Sequence, residues 1–281
     1  MSEETLSTVK QDYEYGWHSK HKYKWVAPPG LTEDLIRDIS KKKDEPEWML
    51  QKRMEGFEEF MKRPMPTWGG DLSQIDFNEI IYYLQPDYQK KKDMTWEDVP
   101  DDLKETFERI GIPEAEQKFL AGVSNQFDSE SVYSKLQGAW EEKGVLFFDM
   151  DTGLKEHPDI IKKYFGTLIP ASDNKFAALN TAVWSGGSFI YVPPGVKVGL
   201  PLQAYFRINA ELAGQFERTL IIVDEGAEVH YIEGCTSPSY STNSLHSAVV
   251  ELIAHEDATL RYTTLQNWYS SVYNLDRKSV V

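Results

Sequence analysis

The chain carries one cysteine, Cys235. It closes the segment Ile221 to Cys235, IIVDEGAEVHYIEGC, and one thiol limits the chemistry open to it. A structural zinc site takes four ligands and a cubane cluster commonly takes four thiolates, so Cys235 alone completes neither and is at most one ligand of a metal. A single thiol can act as a nucleophile or carry a sulfur atom as a persulfide. It can equally be a small buried hydrophobe. Its place after Gly234, at the end of a strand-like segment where backbone can be exposed, weighs toward chemistry, although spacing leaves both readings open.

His230, His246 and His255 are the other candidate ligands, and Glu228 and Glu233 the candidate acids. If Val229 to Glu233 is a strand, His230 and Ile232 share one face, while Val229, Tyr231 and Glu233 share the other. Cys235 then has the parity of Glu233, provided Gly234 does not bend the chain, and a pairing of His230 with Cys235 is disfavoured. His255 sits at a turn and reads as a surface residue. Further buried polar candidates are Arg207 and Asn209, in YFRIN, and Gln266 and Trp268, in QNW. A polar side chain turned into a β-structure must find partners or water; such ladders are usually structural. No phosphate-binding glycine loop, nucleophile elbow or HExxH sequence is present, so no ATPase is expected in this chain.

The elements that position these residues repeat. Phe189 to Val198 (FIYVPPGVKV), Leu220 to Val229 (LIIVDEGAEV) and Glu251 to Leu260 (ELIAHEDATL) superpose at steps of 31 residues. In each, an apolar run meets a three-residue turn and a second strand-like segment follows. Glycine or aspartate at the turn's third place suits a left-handed backbone, and β-branched and aromatic residues dominate the flanks. Such self-similarity predicts stacked β-coils, a solenoid, rather than a sandwich.

The 281 residues have 41% hydrophobic content and a net charge of −15, which gives room for two domains and argues against a general nucleic-acid binder. The short basic runs Lys41 to Lys43 and Lys90 to Lys92 read as solvated helix ends and loops. No apolar stretch approaches the ~20 residues that span a bilayer, and the start of the chain lacks the apolar core of a signal peptide, so no membrane partner and a cytoplasmic location are expected. A lone cysteine agrees with a reducing compartment. The acid excess lies mostly ahead of Phe176, where helix signals also concentrate. Thr32 can cap Glu33 to Lys43, with Leu35, Ile36 and Ile39 at helical spacing; Glu47 to Lys62, Asp101 to Ile110 and Glu114 to Ala121 read as further helices. Gly166, Pro170 and Asp173 break the pattern between Tyr164 and Lys175. The predicted organisation is a helix-rich domain over residues 1–165 followed by a β-domain over residues 166–275.

Several stretches resemble the SufB proteins of the SufB/SufD family: ISKKKDEPEWML (Ile39 to Leu50), FLAGVSNQFDSESVY (Phe119 to Tyr133), FAALNTAVWSGGSFIYVPPGVKV (Phe176 to Val198), PLQAYFRINAE (Pro201 to Glu211), GQFERTLIIVDEG (Gly214 to Gly226) and EGCTSP (Glu233 to Pro238). The similarity runs from about Tyr13 to Leu275. SufB is the scaffold subunit of the SUF iron–sulfur cluster assembly machine. The resemblance implies an α+β amino-terminal domain followed by a right-handed parallel β-helix. It implies a transient iron–sulfur cluster, with reduced flavin proposed for some relatives. The implied partners are SufD, the ABC-type ATPase SufC, and a cysteine desulfurase acting directly or through SufE or SufU. It also implies that Cys235 is the sulfur acceptor, and that Arg207, Asn209, Gln266 and Trp268 line a path from it toward the cluster-building site. On this reading the chain is a scaffold, not an enzyme.

The last six residues, Asp276 to Val281, depart from the resembled pattern and equal one reading frame of a common sequencing adapter. Residues 276–281 are therefore expected to be a non-native tail, with further β-coils and the remaining cluster ligands beyond the chain's end. Two alternatives stay open: a SufD-like structural subunit, which the EGC, PEWML and FLAGV motifs disfavour, and a carbohydrate-active β-helix enzyme, which should show clustered acids and basic residues on one solvent-facing ladder.

Overall fold

Thr32 begins the first helix as its hydroxyl suggests, Oγ1 accepting the Leu35 N–H at 3.2 Å, in a computed structural model that describes residues 22–87, 98–99, 101–109, 120–239 and 244–281. Helix α1 (Glu33–Lys43) buries Leu35, Ile36 and Ile39 and stops where Asp44 turns left-handed, at φ 54°. Helix α2 (Glu47–Lys62) follows Pro46. Its Arg53 is buried against Glu45 at 2.6 Å and donates to the carbonyls of Ala182 and Trp184. Helix α3 (Asp101–Arg109) matches the third predicted helix to within its last residue. Most of the fourth, Glu114 to Phe119, lies outside the described residues, as does Lys90 to Lys92; Leu120 and Ala121 are not helical. Helices α4 (Gly138–Glu141), α5 (Met150–Glu156), α6 (Pro158–Tyr164) and α7 (Lys175–Val183) complete the set among the described residues. α7 is buried almost throughout, and α2 packs on it so closely that a Cβ on Gly56 would lie 2.7 Å from the Ala182 nitrogen.

Strands β1 (Tyr23–Val26) and β2 (Leu84–Pro86) pair antiparallel. Strands β3 (Gly122–Phe127) and β4 (Glu130–Leu136) form a hairpin, and β5 (Leu146–Asp149) lies antiparallel to β6 (Ser188–Val192). From there the chain makes three similar passes. The first is β7 (Leu202–Arg207), β8 (Gly214–Gln215) and β9 (Arg218–Val223). The second is β10 (Glu228–Thr236), β11 (Ser244–His246) and β12 (Val249–Ala254). The third is β13 (Thr259–Asn267), β14 (Val272–Asn274) and β15 (Arg277–Val280). Each pass gives one strand to each of three sheets, ordered β13-β10-β7-β3-β4, β14-β11-β8 and β15-β12-β9-β6-β5. Within the passes all pairing is parallel; only β4 and β5, at the sheet edges, run the other way. The result is a mixed α/β molecule with amino-terminal helices and parallel sheets.

The repeat step seen in the sequence is a register. Phe189 stands beside Leu220, and Leu220 beside Glu251. The third turn residues, Gly195, Gly226 and Asp257, take φ of 71°, 64° and 55°, the left-handed region their residue types suit. The β6, β9 and β12 strands are buried on both faces, which is why they read as continuous apolar runs. One face, with Ile190, Val192, Ile221, Val223, Val250 and Leu252, meets Phe206, Val229, Tyr231 and Cys235 of the facing sheet. The other, with Phe189, Leu220, Ile222 and Ile253, packs under Met150, Leu154, Ile161, Phe165 and Trp184.

The stretch between Tyr164 and Lys175 separates two helices but does not separate the sheets, since β3, β4 and β5 precede it and join the strands that follow. A buried ion pair fastens it down. Arg218 meets Glu251 at 2.6 Å, and the Glu251 carboxylate accepts the backbone N–H groups of Gly166, Leu168 and Ile169.

Candidate functional site

Strand β10 alternates as its sequence suggests: Val229, Tyr231, Glu233 and Cys235 are buried, while His230 and Ile232 are less so. Gly234 does not break the alternation, and it leaves room for the Tyr205 ring, which would lie 2.7 Å from a Cβ at this position. Cys235 is 1% exposed. Its Sγ donates to Glu233 Oε1 at 3.9 Å, and the same oxygen accepts the Tyr262 hydroxyl at 2.8 Å. The Tyr231 ring lies beside that of Tyr262, its hydroxyl 2.8 Å from Ser188 Oγ. Burial, reinforced by the charges of Glu233, Glu217 and Asp276, pushes the Cys235 thiol well above its ordinary range, so in the resting site it is a neutral thiol. Burial also pushes Glu233 up to about 7, against the pull of Lys278 and of the Tyr262 hydrogen bond.

A second polar group adjoins the first. Gln266 stands directly beside Cys235 in register, and Trp268 follows two positions on, with the same parity. The Trp268 ring lies 4.4 Å from that of His246, whose Nε2 is 2.8 Å from Glu217 Oε2. His246 Nδ1 and Gln266 Nε2 both reach Asp276, at 2.8 Å each, and Lys278 Nζ meets the same carboxylate at 2.7 Å. Burial opposes charge on His246, but Asp276 and Glu217 outweigh it and hold the imidazole protonated well above its ordinary range. Asp276 and Lys278 belong to the six-residue stretch set apart in the sequence.

Arg207 and Asn209 lie elsewhere. Cys235 pairs with Phe206 and Thr236 with Arg207, so alternation puts Arg207 on the reverse face from Cys235, where its Nη1 donates to Thr236 Oγ1 at 3.1 Å. Asn209 is buried just past β7, its backbone N–H on Asp128 Oδ1 at 2.6 Å. His230 faces outward onto Thr263, 3.0 Å away. Glu228 is exposed at the start of β10, and His255 is an exposed turn residue 3.3 Å from the Tyr164 hydroxyl. The sequence thus brings together Cys235, Glu233, Gln266 and Trp268, with His246 behind them.

The structure adds residues that the sequence did not single out for the site, Tyr262, Glu217, Asp276 and Lys278 among them. Tyr262 was findable, because it lies one repeat step after Tyr231 and pairs with it in register. Glu217 follows no local pattern, because its partner His246 is brought to it by the next pass of the chain. Among the described residues no three His, Cys, Asp or Glu side chains converge as a metal-ion site. What the arrangement offers is a buried thiol with a carboxylate close enough to take its proton.

Residues 34–204 match the family model described as the SufBD protein N-terminal region, and residues 206–281 the model described as SUF system FeS cluster assembly, SufBD core domain. Relatives described as iron-sulfur cluster assembly SufBD family proteins include one from Staphylococcus aureus, 58% identical over 267 residues, and one from Staphylococcus saprophyticus, 57% identical over 267 residues. Each alignment covers 95% of this chain and 57% of the relative, so the chain spans rather more than half the length of the curated relatives it matches.

Proposed function

The chain belongs to the SufBD family, and on that premise we propose that it is a SufB-type scaffold for iron–sulfur cluster assembly that accepts sulfur as a persulfide at Cys235. The observation that carries this reading is the placement of the only cysteine: on the inward face of β10, shut from solvent, hydrogen-bonded to a carboxylate and continuous with polar groups from neighbouring passes. A persulfide held there is protected from competing solvent thiols. The three parallel sheets visited in turn support a right-handed parallel β-helix as the container, with sulfur moving along its interior past Gln266 and Trp268 toward a cluster-building site. Arg207, on the reverse face from Cys235, and Asn209, just past β7, brace the sheet beside this path through Thr236 and Asp128 rather than lining it.

The cluster is cargo in this account. Sulfur arrives from a cysteine desulfurase, directly or through SufE or SufU, and the scaffold pairs with SufD and with the ATPase SufC, which supplies the nucleotide cycle. No helix among the described residues is long and apolar enough to cross a membrane. A SufD-like structural role is the second reading, favoured by the hydrogen bond that ties Gln266 to Asp276 at 2.8 Å within the same pass, as a purely structural polar group would be tied. The test is cluster reconstitution with desulfurase, cysteine, ferrous iron and the partner subunits, comparing the full-length protein with its Cys235→Ser variant. The scaffold reading expects cluster yield to collapse in the variant; unchanged yield favours the SufD-like role.

A further inference from the structure

A thiol that is 1% exposed cannot give its proton directly to bulk water or hydroxide, so thiolate formation at Cys235 needs an acceptor inside the protein. Three carboxylates, Glu233, Glu217 and Asp276, lie near enough for their charges to reach the thiol, and the last two are engaged by His246. His246 already faces carboxylates from both ring nitrogens, Glu217 and Asp276 at 2.8 Å each, and holds its proton. Glu233 is different: its Oε1 receives the Cys235 S–H at 3.9 Å, with both residues on one face of one strand. The Tyr262 hydroxyl, from the next strand, donates to the same oxygen at 2.8 Å and fixes the carboxylate's orientation.

Resting on the reading of Cys235 as the sulfur acceptor, we propose that Glu233, oriented by Tyr262, is the base that takes the Cys235 proton when sulfur is delivered. The Cys235 S–H bond breaks and its proton passes to Glu233 Oε1. The thiolate electron pair attacks the outer sulfur of a donor persulfide, R–S–S–H, and forms a new S–S bond; the donor's own S–S bond breaks, and its electron pair leaves on R–S⁻. The products are a Cys235 persulfide, a neutral Glu233 carboxyl and the donor thiolate. No oxidant or reductant is consumed.

The surroundings suit this role. The groups facing the pair are Tyr231 on β10, Tyr262 on β13, Glu217 ahead of β9, and Asp276 and Lys278 on the last pass, with His246 on β11 bound to Glu217 and Asp276. With burial they leave Glu233 near the working pH, where a general base is most effective.

The experiment follows sulfur uptake by the full chain from inorganic polysulfide, a sulfane donor small enough to reach a buried thiol, read as one sulfur atom gained on the Cys235 peptide over a range of pH. In the unsubstituted chain the rate should rise through about pH 7, the Glu233 value. Glu233→Gln should lose that rise and slow uptake roughly 100-fold or more, while Glu233→Asp should restore part of it. Tyr262→Phe should keep the rise but move its midpoint upward, because the lost hydrogen bond had favoured the carboxylate. Uptake by Glu233→Gln at the unsubstituted rate and pH profile overturns the proposal. Should that variant fail to fold, an unmoved midpoint in Tyr262→Phe overturns it as well. A chain that gains no sulfur on Cys235 at all instead sinks the acceptor reading on which the proposal rests.

Discussion

Glu251 occupies the register position of Phe189 and Leu220, an apolar place in the repeat, and removing its carboxylate should be costly in a specific way. Arg218 and Glu251 are both fully buried, and the four contacts of the carboxylate are Arg218 Nη2 at 2.6 Å and the N–H groups of Gly166, Leu168 and Ile169 at 2.9, 2.8 and 3.1 Å. Glu251→Ala leaves the Arg218 charge unpaired, a loss of about 3–5 kcal/mol. At about 2 °C per kcal/mol for a chain of this size, the Tm should fall by roughly 6–10 °C. The informative variant is Arg218→Met with Glu251→Leu. If the two residues were only an ion pair, a hydrophobic replacement would return stability to the original value or above it. Here the Ile169 N–H is buried and would lose its acceptor, at about 1–3 kcal/mol, whereas water can reach Gly166 and Leu168. The double variant should therefore recover much of the loss and remain about 1–3 kcal/mol short, measured by urea unfolding with m held in common. Full recovery would refute the claim that Glu251 anchors the 166–169 loop.

Gly187→Ala should cost at least about 2 kcal/mol, since φ is 93° and a Cβ would lie 2.2 Å from the Arg218 carbonyl oxygen; a Tm within roughly 1–2 °C of the original, about half that cost, contradicts it. Gly226 has the same left-handed conformation in open space, at φ 64°, so Gly226→Asn should be nearly neutral and Gly226→Val costly by about 1–2 kcal/mol, checked by the same unfolding assay. Thr32→Ala should lose about 1 kcal/mol through the vacated Leu35 N–H. Glu233 gives a pH signature: its pKa is raised in the folded chain, so the stability linked to its protonated form is complete below 4.5 and is lost as pH rises through about 7. The rise corresponds to about 3 kcal/mol, and Glu233→Gln should gain that much relative to the unsubstituted chain across the window. A difference that stays flat with pH excludes it.

What the sequence made legible was local or strictly periodic. The Thr32 cap and the α1 and α2 boundaries follow from neighbours within one helical turn. The turns at Gly195, Gly226 and Asp257 repeat at one spacing because the passes between them have equal length. Elsewhere the passes differ in length. The span from Phe206 to its partner Cys235 is shorter than the span from Cys235 to its other partner Gln266, and the span from Glu251 to its partner Ser279 is shorter than either. Unequal loops hide register from a fixed-period comparison. For the same reason β3 and β5, which enter the sheets from before the repeats begin, left no periodic trace. In the site, parity placed Glu233 with Cys235 correctly, since alternation needs only the strand itself. The Tyr262 contact was within reach of the repeat step, but the Glu217–His246 pair depends on which strands become neighbours, and one residue's type does not specify that.

The central claim is that Cys235 receives sulfur, and the most direct test is mass analysis of the intact chain after incubation with a cysteine desulfurase and cysteine. The account predicts a gain of one sulfur atom that maps to the Cys235 peptide, disappears when the denatured chain is treated with a thiol reductant and is absent from Cys235→Ser. A chain that stays unmodified under conditions where the desulfurase itself becomes persulfidated and passes sulfur to another acceptor would contradict it.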